Sequence, residues 1–168
     1  MSVHAFVHRL ASTALLLLVL GACTIEPPAA EPERKARAGC VALTLGRESF
    51  EVAVAADDER RRIGLSGCQT LARNEGLLFL YRVPAPRSFW MKDCFVALDI
   101  LFLDAGGRIL NVVTMQPPHS GTADLDLPFA NSVGHAAAVL EVCAGTAVRL
   151  ALKPGDVVRW SAFNGVVQ

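Results

Sequence analysis

The sequence predicts a mainly β fold, a compact antiparallel β-barrel or sandwich that carries one or two short helices. Short runs in which apolar and polar residues alternate are separated by turn residues, and this pattern is typical of strands joined by hairpins. The chain has 168 residues, a length that suits one domain with a core of its own. We therefore expect a single β-rich domain at residues 40–163.

The first elements of this domain are a hairpin and a helix. Residues 40–45 and 49–55 alternate on either side of a turn, which predicts two paired strands. Residues 57–65 begin with acids and continue with arginines, an order that matches the dipole of a helix. Asp57 or Asp58 can serve as its N-cap.

The middle of the chain predicts one strand, one irregular segment, a second hairpin and a long loop. Residues 76–81 form an apolar run of strand length, whereas the prolines within 83–87 predict that this segment has no regular structure. Residues 98–104 and 108–115 flank an Ala-Gly-Gly turn and predict the clearest hairpin. Residues 116–132 follow as a loop of a length that is usually functional or disordered.

The last part of the chain predicts two more strands and a short helix. Alanines within 134–142 favour a helix, but the branched residues before Gly145 favour a strand from about Ala137. Residues 146–152 suit one or two helical turns, and 157–160 are expected to form the final strand.

Composition and spacing exclude several classes of function. The formal net charge is zero, which argues against a nucleic-acid partner because such proteins usually carry a basic patch. Neither a zinc-binding spacing of Cys and His nor a phosphate-binding glycine loop is found in the sequence. We expect a monomer that uses no cofactor and no metal.

Residues 1–22 predict a lipoprotein signal peptide. A weakly basic start precedes an apolar run at 10–20, which is too short to span a bilayer. The following Leu-Gly-Ala-Cys motif, which ends at Cys23, is similar to the bacterial lipobox. This resemblance implies that Cys23 becomes the acylated N-terminus, and Thr24 in place of an aspartate implies the outer membrane rather than the inner one. The alternative is an ordinary signal peptide with a chance cysteine.

Residues 23–39 predict the lipidated cysteine and a flexible tether. The segment is rich in Pro, Ala and mixed charge and has almost no large apolar residue, so it cannot bury enough surface to become ordered. We expect it to hold an exported domain close to the cell-envelope membrane, on the periplasmic face, without inserting it.

Four cysteines remain in the domain, and an even number in an exported domain suggests disulfides. Three connectivities are possible. We favour Cys68–Cys94 and Cys40–Cys143, in part because the second bond would tie the first strand to a late one. Buried free thiols are the alternative.

Six motifs stand in an order that is typical of one family. They are Glu59-Arg60 with Gly64-Leu65, Gly76-Leu77-Leu78-Phe79, Phe89-Trp90-Met91-Lys92, Leu98-Asp99-Ile100 with Phe102, Leu140-Glu141 with Ala144-Gly145, and Gly155-Asp156. Over about residues 48–160 they resemble the bacterial and archaeal family known as domain of unknown function 192. The resemblance implies a β-rich fold and no established activity. This chain departs from the family at Cys68 and Cys94, and this paired change supports a disulfide between them.

The candidate site combines polar and aromatic residues from these motifs. The candidate ligand-binding residues are Arg60, Trp90, Lys92, Asp99 and Glu141. If Met91 is in the core, alternation places its two neighbours together on the opposite face. Acids within apolar strands are costly to bury unless they are paired, and Lys92 or Arg60 is the expected partner of Asp99. The resemblance implies that Arg60 turns inwards.

Three functions remain open at this point. The first is an accessory or binding protein whose pocket takes an envelope glycan or another small polar ligand. The second is a hydrolase in which Asp99 and Glu141 act as an acid pair. The third is a structural role in which the domain contacts an envelope protein.

Overall fold

The computed structural model describes residues 39–163, 165 and 167. The predicted signal peptide, Cys23 and the tether up to residue 38 lie outside the described residues. Within the described part, no helix is long and apolar enough to cross a membrane.

The described residues form nine strands and two short helices, and the mainly β class is confirmed. In chain order these are β1 (Cys40–Leu45), β2 (Glu48–Ala55), α1 (Asp58–Ile63), β3 (Glu75–Ala85), β4 (Ser88–Trp90), β5 (Leu98–Leu103), β6 (Ile109–Met115), β7 (Phe129–Asn131), β8 (Ala136–Cys143), α2 (Thr146–Arg149) and β9 (Arg159–Trp160). A 3₁₀ turn at Asp124–Asp126 interrupts the predicted long loop. Both predicted hairpins are confirmed, as β1–β2 and β5–β6.

Seven strands form one curled half-barrel sheet in the order β6-β5-β8-β3-β2-β1-β9, and β4 and β7 form a separate ribbon. The strand pairs are antiparallel, as predicted, except that β2 and β3 are parallel. Parallel neighbours need a crossover of a dozen or more residues. Residues 56–74, which include α1, supply that crossover.

The centre of the sheet is buried on both faces, since every residue of β5 is buried. One face carries a first core that includes Val52, Leu78, Leu101, Leu140 and Val142. The other face carries a second core that includes Leu77, Phe79, Ile100, Phe102 and Val139, with Met91 and Ala130 packed on it. Met91 and Ala130 come from the covering β4–β7 side, so the ribbon closes the second face.

Pro84 lies inside β3, so the prediction of no regular structure was wrong for residues 83–85. Pro86 and Arg87 lie outside any helix or strand, as predicted. The pairing of β3 with β8 is regular as far as Leu80 opposite Ala138 and then shifts to Ala85 opposite Ala136. Pro84 falls within that irregularity, where a proline is tolerated because no ladder amide is required of it.

Gly76 allows β3 and β8 to approach each other closely. A Cβ atom at this position would overlap the backbone carbonyl oxygen of Glu141. The glycine therefore sets the position of the β8 backbone at the residue that carries the buried acid.

All four described cysteines are free thiols. The predicted Cys40–Cys143 bond was wrong, because Cys40 is on β1 and Cys143 on β8, with β2 and β3 between them. Three strand spacings amount to about 14 Å, whereas a disulfide requires Cα atoms within about 7 Å. The Cys68–Cys94 bond stays a prediction.

Candidate functional site

A cavity of about 510 Å³ opens on the second-core face of the sheet. Phe79, Phe89 and Leu98 form its apolar walls, and Trp90 and Lys92 stand at one side. The loop that follows α1 and the segment that follows β4 complete the lining. We call this space the Glu141 cavity, after the acid that also lines it.

Glu141 is a buried acid without a partner for one of its oxygens. It projects from β8 between Leu77 of β3 and Ile100 of β5, and it is 5% exposed. Its Oε2 atom finds no hydrogen-bond partner among the described residues. Burial raises the pKa of Glu141 from 4.5 to about 8, because an apolar environment disfavours the charged form.

A neutral carboxyl group offers a ligand both an O–H donor and a carbonyl acceptor. With its pKa at about 8, Glu141 is mostly protonated at neutral pH. At the position of Glu141 the cavity therefore presents a hydrogen-bond donor rather than a negative charge.

Trp90 and Lys92 lie together on the cavity side of the chain, as alternation around Met91 predicted. Met91 is 1% exposed, within the second core. The indole of Trp90 stacks on Phe129, with ring centroids 6.0 Å apart and planes 16° from parallel. The Nζ atom of Lys92 pairs with Asp124 and lies 5.5 Å from the centre of the Trp90 ring.

The contact between Lys92 and Asp124 ties the rim of the cavity to the 3₁₀ turn. Asp124 belongs to the 3₁₀ turn, 32 positions along the chain. The hydrogen bond to Asp124 raises the pKa of Lys92, so the ammonium group stays charged at neutral pH. The sequence-based expectation that Lys92 pairs with Asp99 was therefore wrong.

Arg61, rather than Arg60, is the arginine of α1 that turns inwards. The Arg61 side chain is 11% exposed, donates to the Leu80 carbonyl at 2.9 Å and lines the cavity. The Arg60 side chain is 58% exposed and pairs with Asp57 at 3.5 Å, outside the cavity lining. Successive residues of a helix are rotated by about 100°, so three arginines in a row cannot share one face.

Asp99 is the second buried acid, and it is fully bonded. It is 1% exposed. Thr114 Oγ1 donates to its Oδ1 at 2.6 Å, and the backbone N–H of Ala147 donates to its Oδ2 at 2.8 Å. Neither of its expected partners, Lys92 and Arg60, contacts it. Asp99 instead ties β5 to β6 and to the first turn of α2.

The two acids point to opposite faces of the sheet. Glu141 stands opposite Ile100, whereas Asp99 stands opposite Val142. Successive side chains of a strand alternate between faces, so Asp99 points towards the first core and Glu141 towards the second. Two groups separated by the sheet cannot flank one bond, and the acid-pair hydrolase is contradicted.

Several residues of the cavity were missed by sequence reasoning. These are Arg61, Phe79, Phe89, Cys94 and the pair Ser66-Gly67. All of them except Cys94 lie within the family motifs or directly beside them. Closeness to those motifs in the sequence could therefore have pointed to these residues. As for metal ions, no group of three or more Cys, His, Asp or Glu in the described part of the chain is arranged to hold one.

Fold and site together define a half-barrel β protein with a buried, neutral acid in an aromatic cavity. Residues 41–160 match the family DUF192, described as Uncharacterized ACR. The chain belongs to this family, as the six motifs indicated.

Two solved structures are similar to this chain. One is a candidate transcription regulator from Sinorhizobium meliloti 1021, with 30% identity, a TM-score of 0.60 and coverage of 72% of this chain and 91% of that one. The other is a protein of unknown function from Novosphingobium aromaticivorans DSM 12444, with 32% identity, a TM-score of 0.60 and coverage of 72% and 84%. A comparison with the curated proteins found no match.

Proposed function

We propose that this protein is an accessory binding protein whose Glu141 cavity holds a small polar ligand. The observation that carries the proposal is the unpartnered Oε2 of Glu141 inside a cavity. A buried polar group without a partner costs about 1–3 kcal/mol, and strongly perturbed acids in clefts mark functional sites. A ligand oxygen that accepts a hydrogen bond from the protonated Glu141 carboxyl group would remove this cost.

The surroundings of Glu141 favour a ligand with a carbonyl or hydroxyl group on a flat body. Trp90 and Phe89 offer aromatic surface beside the acid, and aromatic rings suit the apolar face of a sugar. Lys92 at the rim adds a positive charge. An envelope glycan fits these contacts, because its acetamido carbonyl groups accept hydrogen bonds and its acidic members carry a carboxylate.

The fluorescence of Trp90 offers a direct test. The chain has two tryptophans, and Trp160 packs on the first core, so Trp160→Phe leaves Trp90 as the reporter. Titration with oligosaccharides of N-acetylglucosamine and N-acetylmuramic acid is expected to change the emission in a saturable way.

Matched changes at Glu141 decide whether the acid binds the ligand. Glu141→Gln keeps a donor and should retain affinity within a few fold, whereas Glu141→Leu should weaken binding by about tenfold or more. Equal affinity of the leucine variant and the parent, or an emission that no oligosaccharide changes, would contradict the proposal.

The description of the Sinorhizobium meliloti structure as a candidate transcription regulator does not change this proposal. The formal net charge of this chain is zero, and nucleic-acid binding depends largely on cationic groups that neutralise phosphates. We propose a monomeric protein that binds no nucleic acid and no metal.

We also propose that the protein is exported and anchored by a lipid on Cys23, on the periplasmic face of the outer membrane. The lipobox-like motif before Cys23 and the polar segment at 24–39 support this. In cells fed a labelled fatty acid, the parent chain should incorporate label and fractionate with membranes. Cys23→Ala should lose both properties and Cys40→Ala neither; a labelled Cys23→Ala protein would refute the anchor.

A further inference from the structure

We propose that Cys68 and Cys94 form a disulfide in an oxidising compartment, and that this bond fixes one wall of the Glu141 cavity. The crosslink stands on its own geometry, whereas its effect on ligand binding rests on the function proposed above. The bond makes the two cysteines a modification site of the binding cavity.

Two backbone hydrogen bonds hold Cys94 beside Cys68. The N–H of Gly67 donates to the carbonyl of Asp93 at 2.7 Å, and the N–H of Phe95 donates to the carbonyl of Cys68 at 3.2 Å. These contacts lie on both sides of Cys94. A disulfide requires Cα atoms about 4.4–6.8 Å apart, and two backbone segments that are joined by hydrogen bonds on both sides of Cys94 can meet this requirement.

The two thiols now make separate, weak hydrogen bonds. Cys68 Sγ donates to the Thr70 carbonyl at 3.2 Å, and Cys94 Sγ donates to the Val96 carbonyl at 3.5 Å. Each acceptor is only two residues away, so both bonds hold the side chain to its own segment. Rotation of the side chains away from these carbonyls would free both sulfur atoms for a bond between the two segments.

The bond would act on the cavity because both segments line it. Ser66 and Gly67 of the first segment line it next to Asp93 and Cys94 of the second. Neither segment belongs to a helix or strand, so few backbone bonds keep them together. A covalent link would stop them from separating, and a wall that is fixed before binding lowers the entropy lost when a ligand binds.

The accessibility of the thiols sets the order of the reaction. Cys68 is partly exposed and Cys94 is buried. The Cys68 thiolate attacks the disulfide of an oxidising protein, forms a mixed disulfide and releases one thiolate of that protein. Deprotonated Cys94 then attacks Cys68 Sγ and expels the second thiolate. The two released protons and two electrons reduce the oxidant to a dithiol.

Mass spectrometry of the full chain carrying Cys23→Ala tests the crosslink. Exposure to a glutathione redox buffer should lower the intact mass by about 2 Da, and peptide mapping should join Cys68 to Cys94. The matched variant C40S/C143S should behave alike, whereas C68S/C94S should keep its reduced mass. Another pairing, or no mass change under oxidation, would overturn the proposal.

Hydrogen exchange tests whether the bond fixes the wall. Oxidation should slow exchange at the Gly67 and Phe95 amides by about tenfold or more, because local opening becomes restricted, and should raise Tm by about 10 °C. An established crosslink with unchanged exchange at both amides would overturn the effect on the wall.

The acetylated oligosaccharides used with Trp160→Phe separate this inference from the binding proposal. The oxidised form should bind them about three- to tenfold more tightly than the reduced form. Equal affinities would overturn the coupling between disulfide and cavity. Absence of binding in both forms would overturn the binding function and with it the coupling, while the mass and exchange results would still decide on the disulfide.

Discussion

Asp99 and Glu141 are buried acids on neighbouring strands, and the sheet that separates them gives them different roles. Asp99 accepts from Thr114 and from the Ala147 amide, whereas Glu141 Oε2 has no partner in the described part of the chain. Asp99 is 1% exposed and Glu141 is 5% exposed. Burial alone therefore does not distinguish them; the hydrogen bonds do.

The difference follows from what covers each face. On the Asp99 face, β6 and the start of α2 bring a hydroxyl and an amide within reach. On the Glu141 face, the nearby wall consists of aromatic and aliphatic side chains such as Phe79 and Leu98. A buried acid with its bonds satisfied stabilises the fold, while one left unsatisfied in a cavity lowers stability and remains available to a ligand.

The largest effect is expected from Asp99→Ala. It would leave the Ala147 amide and the Thr114 hydroxyl without their acceptor. Each buried donor that is left without a hydrogen bond costs about 1–3 kcal/mol. We expect a loss of about 3–4 kcal/mol in the free energy of unfolding, measured with urea at pH 7.

Glu141→Leu is the matched comparison for this change. It removes an acid of similar burial without breaking a bond to Oε2, and it should leave the protein at least as stable as the parent at pH 7. If Asp99→Ala cost no more than Glu141→Leu, the assignment of a structural role to Asp99 alone would fail.

The next effect is a pH dependence that only Glu141 should carry. Burial raises its pKa from 4.5 to about 8. Between these two pH values, the folded chain therefore keeps a proton on Glu141 that the unfolded chain has lost. Unfolding free energy should therefore fall as pH rises from 4.5 to 8, by about 1.4 kcal/mol per pH unit at most. The contribution of protonated Glu141 to the free energy of unfolding is fully present below pH 4.5 and lost above pH 8.

Glu141→Gln isolates this contribution, because the amide cannot ionise. The stability of the variant relative to the parent should increase by about 3 kcal/mol between pH 5 and pH 7.5. Urea unfolding of both proteins at the two pH values measures it. Parallel stability profiles for parent and variant would show that Glu141 ionises in the folded protein as it does in water.

The elements could largely be predicted because their signals are local. The alternation in residues 49–55 and the Ala-Gly-Gly turn before β6 depend on neighbouring residues alone. The parallel pairing of β2 with β3 could not be read in this way, because it depends on where the crossover returns. Pro84 was misjudged for a related reason: its cost depends on a shift in the pairing with β8.

The candidate site was predicted in part for the same reason. Trp90, Lys92 and Glu141 lie in strong motifs and line the cavity. The partners of charged groups were harder, because they depend on tertiary contacts: Asp124, which pairs with Lys92, lies in a loop with no regular pattern. Sequence spacing also could not tell which arginine of α1 would face the sheet.

The smallest effect on stability, and a selective effect on binding, is expected at the rim of the cavity. Lys92→Met removes an exposed ion pair with Asp124, and such pairs contribute little to folding, so the urea midpoint should not change measurably. The cation should matter for an anionic ligand: binding of an oligosaccharide with N-acetylmuramic acid should weaken about three- to fivefold at low salt. Binding of its neutral N-acetylglucosamine counterpart should be retained, since Glu141 is unchanged.

Lys153→Met provides the control, because this exposed lysine lies outside the cavity lining and should affect neither ligand. Fluorescence titrations of both variants on the Trp160→Phe background, at two salt concentrations, measure the difference. Equal weakening of the neutral and the anionic ligand by Lys92→Met would mean that Lys92 shapes the cavity through its contacts with Trp90 and Asp124 rather than by its charge. Glu141 and Lys92 would then differ in their position in the cavity but not in the kind of selectivity that they provide.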